Sequence, residues 1–390
     1  MENKFVFDSK IKMILYGMIA VGLIALLVGL FSEGVVESRF WANLLLNNFY
    51  FLALALGGTF FVAVHEMGES GWQTSIQRVP EAMGRFIPFA GVLMLITFLF
   101  GIHHLYHWTD TAHHDEILAG KAPYLNTTFF YIRFAIYFAG WSILSYYLRK
   151  ASIDMDSDAD IKYYKKQRIL SSVFVVFFAI TSSTSAWDWL MSIDAHWFST
   201  LYGWYIFSGL LVSTIAMIIL ILIFLRNQGY MSHVNKEHLH DLGKYLFAFS
   251  ILWMYLWFSQ YLLIWYSNIP EETVYFVERV NNHSTIFYVN LVMNFVLPFL
   301  VLMTRNSKRM IGVTGVVALI VFAGHWVDYF LAIMPGVVGE NTKVGFFEIG
   351  LTIGYIGLFL FIVFLGLSKA SLIPKNHPFY KESLDYHTNY

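Results

Sequence analysis

Ten apolar runs, at residues 13–31, 48–65, 85–104, 126–148, 169–189, 202–225, 244–265, 284–303, 311–333 and 346–367, leave little of this 390-residue chain outside them. About 20 apolar residues in helical form match the roughly 30 Å of hydrocarbon in a bilayer, where every backbone polar group must find its partner within the segment. The expectation is an all-α integral membrane protein with about ten transmembrane helices. A hydrophobic fraction of 57%, a charged fraction of 13% and a mean hydropathy of +0.58 agree with it. A net charge of −1 offers no basic excess for nucleic acid, so lipid is the expected surrounding. The chain has no cysteine, which excludes disulfides, iron–sulfur ligation and covalently attached haem; a redox centre held by this chain alone needs histidine ligands.

Lysine and arginine fix the expected orientation. Twenty of them fall in the N-terminal segment, in alternate loops and after the last run, against Arg39, Lys121, Arg279 and Lys343 on the other side and Arg133 inside a run. The positive-inside rule places both termini in the cytoplasm. The first run is read as a retained span, because no small-residue cleavage site follows it. Trp41, Trp108, Trp187, Trp189, Trp197, Trp204 and Trp265 stand near the predicted outer ends of spans, where an interfacial belt is expected. The acids of 151–166, Asp154, Asp156, Asp158 and Asp160, lack the glycine and closing acid of a calcium loop and are read as a solvated connector.

An internal repeat runs through the middle of the chain. The third and seventh runs open with Gly84-Arg85-Phe86 and Gly243-Lys244-Tyr245, 159 residues apart. The fourth and eighth open with Thr128-Phe129-Phe130-Tyr131 and Thr285-Ile286-Phe287-Tyr288, 157 apart. The fifth and ninth end in acids flanked by aromatic or aliphatic residues, Trp187-Asp188-Trp189 and Val327-Asp328-Tyr329. Four helices separate each pair, so the copies run in the same sense. The expected organisation is a first helix with an interfacial segment (1–47), a four-helix bundle (48–192), a second (193–335), and a last helix with a tail (336–390).

An ionisable side chain in hydrocarbon costs roughly 2.5–3.5 kcal/mol on insertion scales, so such groups mark a pathway or a pair. His325 and Asp328, three apart on the ninth helix, share a face. Asp188, with Asp194 and His196 beyond it, His103, His104 and His107 at the end of the third span, and Arg133 in the fourth could form an outward-facing polar cluster. Its chemistry suits proton exchange or a quinone headgroup, because histidine titrates near neutrality and a neighbouring acid can take or orient a proton. The structural alternative is that Asp188 and Asp328 cap helix ends or pair with Arg133. On the inner side His65, Glu66 and Glu69 close the second span, with His65 and Glu69 at helical spacing for a proton entry or an ion pair. A snorkelling helix end is the alternative there.

Two other functional classes compete. The histidines at 103–104, 107 and 113–114 invite a membrane di-iron desaturase or hydroxylase, but His233, His238 and His240 are expected on the opposite side, so one iron site cannot collect both sets. A secondary transporter fits the repeat but lacks paired Gly/Pro-broken helices.

The stretch Ser185-Ala186-Trp187-Asp188-Trp189-Leu190-Met191-Ser192-Ile193-Asp194, with His196-Trp197-Phe198-Ser199-Thr200 and Tyr202-Gly203, resembles the ActF-type integral membrane subunit of bacterial alternative complex III. So do Asp241-Leu242-Gly243-Lys244, the run from Phe258 to Tyr266 with Asn268 and Pro270-Glu271-Glu272, Arg78-Val79-Pro80-Glu81-Ala82-Met83, and the stretch from Trp326 to Pro335. The resemblance implies an NrfD-like subunit of a quinol:cytochrome c oxidoreductase in the bacterial inner membrane, with two four-helix bundles. Its partners would be a sister NrfD-like quinol-binding subunit, multihaem cytochrome and iron–sulfur subunits carrying the haems and clusters, and cytochrome c or a terminal oxidase. Quinone binding is usually assigned to the sister, so this chain is expected to shape the membrane arm and conduct protons through His65, Glu66, Glu69, Asp188, His325 and Asp328.

Overall fold

The computed structural model describes residues 4–31, 37–110, 115–339 and 342–387. Among these residues the chain is helical, with one isolated bridge, Lys4 to Ser371, and no strand. The long helices are α1 (Ser9–Phe31), α2 (Glu37–Met67), α3 (Arg78–Leu105), α4 (Thr127–Ser157), α5 (Ile161–Trp189), α6 (Tyr202–Asn227), α7 (Lys236–Ser267), α8 (Ser284–Leu302), α9 (Ile311–Val338) and α10 (Phe346–Ser368). Nine of them are long and apolar enough to cross a bilayer by themselves; α4 is long enough but carries too many tyrosines, serines and arginines. Its contacts place it across the membrane all the same. Near its start Arg133 bonds Asp188 at the end of α5, and near its finish Ser152 and Asp156 bond Arg78 at the start of α3.

Helices α2, α3, α4 and α5 pack in a closed ring, and α6, α7, α8 and α9 form a second. The rings meet where α2 touches α6 and α9 and where α5 touches α6. The repeat-related α2 and α6 therefore stand at the centre, with 94% and 83% of their apolar windows buried, against 22% for α1. The flanking α1 and α10 pair with each other. A Cβ on Gly22 would lie 2.5 Å from the Cα of Gly354, so the two backbones touch and neither position accepts a larger residue.

Several helices run past the apolar stretches that announce them. α2 starts at Glu37, so the expected interfacial segment before residue 48 is its first three turns, and α9 passes the expected boundary at 335. α4 continues to Ser157, through half of the expected solvated connector, because Arg78 holds Ser152 and Asp156; Asp160 then caps α5. The tryptophan belt is partial. Trp204 and Trp265 are exposed, whereas Trp108, Trp189 and Trp197 are buried, Trp189 among Phe98, Phe134, Tyr137, Phe138 and Trp141.

Most Lys and Arg gather at one end of the molecule, here the basic end. The segment after α10 folds back across it: the Lys375 amide donates to Asp156, Ser383 bonds Ser75, and the Tyr386 hydroxyl donates to Asp241.

Candidate functional site

In the second bundle every helix contributes one side chain to a single buried carboxylate. Asp328 of α9 accepts hydrogen bonds at Oδ1 from the Tyr205 hydroxyl of α6 (2.5 Å) and Asn290 Nδ2 of α8 (2.8 Å), and at Oδ2 from Trp253 Nε1 of α7 (2.9 Å). All three donors are neutral, and no lysine or arginine pairs with Asp328 among the described residues. One turn back on the same face, His325 is wholly buried, its Nδ1 3.8 Å from Asp328 Oδ2 and its ring edge-on to Trp253. Neither ring nitrogen has a hydrogen-bond partner.

The polar file continues through α8. Asn294 Nδ2 donates to Asn290 Oδ1 at 2.6 Å, while Asn294 Oδ1 has no partner. Asn294 lies in a π-helical turn, Val292–Val296. Pro298 lacks the N–H that would bond the Asn294 carbonyl, which accounts for the widening there. Gly324 lets α9 come this close, since a Cβ would fall 2.4 Å from Asn294 Oδ1. On the other side of Asp328 lies a cavity of about 20 Å³, lined by Tyr205, Gln260, Arg279 and Asn290 and large enough for a water. The Gln260 amide nitrogen is buried there without a partner.

The repeat-related acid in the first bundle has a different environment. Asp188 accepts from Arg133 Nε (2.7 Å) and Nη2 (2.9 Å) and from the Tyr137 hydroxyl (2.9 Å). The guanidinium also donates to the Tyr124 carbonyl and lies against the rings of Tyr124 and Phe129. Arg133 and Asn290 are 157 residues apart, the spacing of the repeated Thr-x-Phe-Tyr openings, and each bonds the acid of its own bundle. The two acids share a partner at the repeat offset, but Asp188 draws all its side-chain donors from α4 and Asp328 draws one each from α6, α7 and α8. Where the first has an arginine that neutralises the acid, the second has an asparagine that does not.

The expected outer cluster is not one site. Asp194 pairs with Arg279, His196 with Asp115, His104 with Glu37, and His103 Nδ1 with Thr109, while His107 is exposed; His113 and His114 lie outside the described residues. Apart from exposed His107, each of these groups is bonded to a different neighbour, so they do not converge. The bond from His196, followed by the Leu118 amide, holds the Asp115 carboxyl below its ordinary range.

Arg279 answers a defect in α9. Pro335 leaves the Leu331 carbonyl without its helical donor, and Arg279 Nε supplies one at 2.9 Å. Arg279→Met is expected to cost about 2–3 kcal/mol in resistance to unfolding. Pro335→Ala, which restores the helical N–H, should recover part of that loss. A denaturant titration of the purified protein checks it, and equal losses in the single and double variants would remove the explanation.

At the basic end the predicted trio separates as well. α2 ends at Met67, so Glu69 lies past the helix at φ +52° and pairs with Arg168 of α5, not with His65. His65 donates from Nδ1 to the Phe61 carbonyl (2.7 Å), which leaves Nε2 to accept from the Tyr245 hydroxyl (3.3 Å). Glu66 is buried against His377 of the tail, whose Nε2 donates to Oε1 at 3.1 Å while its Nδ1 accepts the Phe379 amide. Along the buried stripe of α5, Tyr164, Gln167 and Ser171 leave polar atoms without partners. The stripe then turns apolar at the stacked Phe174 and Phe178 before Thr181, Ser185 and Asp188. Ser171 and Thr181 are about 15 Å apart along the axis, so polar file and acid do not join.

His377→Ala is expected to lower thermal stability by about 1–3 kcal/mol, because the Glu66 carboxylate loses its donor in a buried site. Adding Glu66→Gln should restore most of it; an unchanged single variant would mean the tail does not seal this pocket. Elsewhere in this region burial pushes His233 below its ordinary pKa.

Sequence reasoning missed Tyr205, Trp253, Asn290, Asn294, Arg279 and His377. Only Asn290 carried a signal, its repeat offset from Arg133; the rest depend on which helices meet. The histidines of the 103–107 segment and those of 233–240 stand at opposite ends of the bundles, the former beside Glu37 and the latter beside Ser75 and the tail. Among the described residues no three His, Asp or Glu side chains converge as for a metal. An apolar recess of about 370 Å³ lies between α1, α2, α3 and α10, and Thr97 and Tyr355 in its lining are both bonded to Asn48. Set against protein-family models and against curated proteins, the chain matches none.

Proposed function

We propose that the chain is a membrane-arm subunit of a quinol:cytochrome c (or oxidase) oxidoreductase of a bacterial inner membrane, similar to the ActF-type subunits, and that it exchanges protons at Asp328. Both termini face the cytoplasm in this reading, and the sister NrfD-like subunit keeps the quinol pocket. The observation that carries it is the contrast between two equivalent acids. Asp188 is neutralised by Arg133, as a structural ion pair is, while Asp328 is held by neutral donors beside an unpartnered imidazole and a water-sized cavity.

Asp328 has no cation among its hydrogen-bond partners, so a proton can add to it without breaking an ion pair. The protonated form needs an acceptor, and His325 Nδ1, 3.8 Å away, is within reach of a small shift. Glu66 with His377, and the unpartnered groups of α5, supply a second polar file at the basic end.

The test is Asp328→Asn in the assembled complex. Quinol oxidation should persist while protons released per electron fall by about half or more. Unchanged proton release would remove Asp328 from any route, and loss of assembly with no partner subunits recovered would remove the complex itself.

A further inference from the structure

At the basic end a recess of about 440 Å³ opens between α3 and α4. Its rim is apolar and exposed, with Phe89 50% and Tyr146 62% accessible. Four cations line it, Arg85, Arg149, Lys150 and Lys369, against a single acid, Asp154. Arg149 is 9% exposed; its Nη2 donates to the Gly366 carbonyl at 2.8 Å, and its Nη1 is buried with no partner. Arg85 lies against the same glycine. The nearby acid Glu81 is taken up by Gln77 and Arg78. Two guanidinium groups thus stand together, short of negative charge, where the helices leave the hydrocarbon.

We propose that this recess binds the phosphate of an anionic phospholipid, with Arg85, Arg149, Lys150 and Lys369 around the headgroup and the acyl chains along Phe89 and Tyr146. Like charges brought together in a partly dry wall repel, and a phosphodiester relieves that repulsion while supplying the acceptor that Arg149 Nη1 lacks. The apolar rim faces the membrane, as it must for the chains to follow the headgroup. A basic pocket between transmembrane helices at the end rich in lysine and arginine is where such lipids are held. A zwitterionic lipid would bring its own cation into the same wall and bind more weakly.

The test uses the purified protein in detergent, with phosphatidylglycerol, phosphatidylcholine of the same chains and inorganic phosphate as probes, and native mass spectrometry as readout. Phosphatidylglycerol should be retained at least tenfold more than phosphatidylcholine. The triple variant Arg85→Gln, Lys150→Gln, Lys369→Gln leaves the Arg149 bond to Gly366 in place and should weaken retention about 100-fold, roughly fivefold for each charge. The single variant Lys369→Gln, on an exposed residue, should give the fivefold step with an unchanged melting temperature. Equal retention of the two lipids, or a triple variant that holds phosphatidylglycerol as the parent does, would overturn the proposal. So would displacement of the lipid by millimolar inorganic phosphate, which would mark a site for the free anion.

Discussion

Asp328→Ala is expected to lower resistance to unfolding by about 2–4 kcal/mol, because it strands the Tyr205 hydroxyl, the Trp253 indole and the Asn290 amide in a sealed site. In water three buried orphan donors would cost more. Within a membrane the unfolded helices find other partners, which trims each contribution. Asp328→Asn should cost about half as much: its carbonyl still accepts from Tyr205 and Asn290, and only the Trp253 indole then faces a donor. The pair of variants therefore separates holding the bundle together from carrying a proton. Denaturant titration of both proteins reads the first property; an alanine variant as stable as the parent would mean that water reaches the site and that Asp328 is not enclosed.

Arg133→Leu and Asp188→Leu are each expected to cost about 3–5 kcal/mol, since either leaves a buried charge without its partner. The double variant should recover more than half of that loss. Removing both charges ends the desolvation penalty, and leucine fills much of the space between Tyr124, Phe129 and Tyr137. A double variant whose loss equals the sum of the two singles would show that the ion pair is not what these residues do. The same cycle on His325 and Asp328 should show far weaker coupling, because that pair is 3.8 Å apart and Asp328 already has three other partners.

The helices were legible because hydrocarbon thickness imposes a length that side-chain detail cannot alter. The repeat offset of 157 residues, read from the two Thr-x-Phe-Tyr openings, is also the separation of Arg133 and Asn290, which bond the two acids. Helical spacing also placed His325 and Asp328 on one face. It failed for His65 and Glu69, since spacing assumes a helix and α2 stops between them. It failed for the outer cluster as well. Proximity in sequence to a span's end says which side of the membrane a residue occupies, and nothing about which of the loops there it will meet.

What the amino-acid order determined alone is that the chain is a set of long apolar helices and roughly where each one lies, because backbone hydrogen bonds in lipid close within each helix and leave length and polarity as the variables. What only the tertiary structure decided is the state of each buried acid. Asp188 and Asp328 look alike in the chain, and their difference arises from side chains 55 and 38 residues away, brought in by neighbouring helices. In a medium with almost no screening, the charge that stands next to an acid sets what it can do, and adjacency across helices is settled by packing.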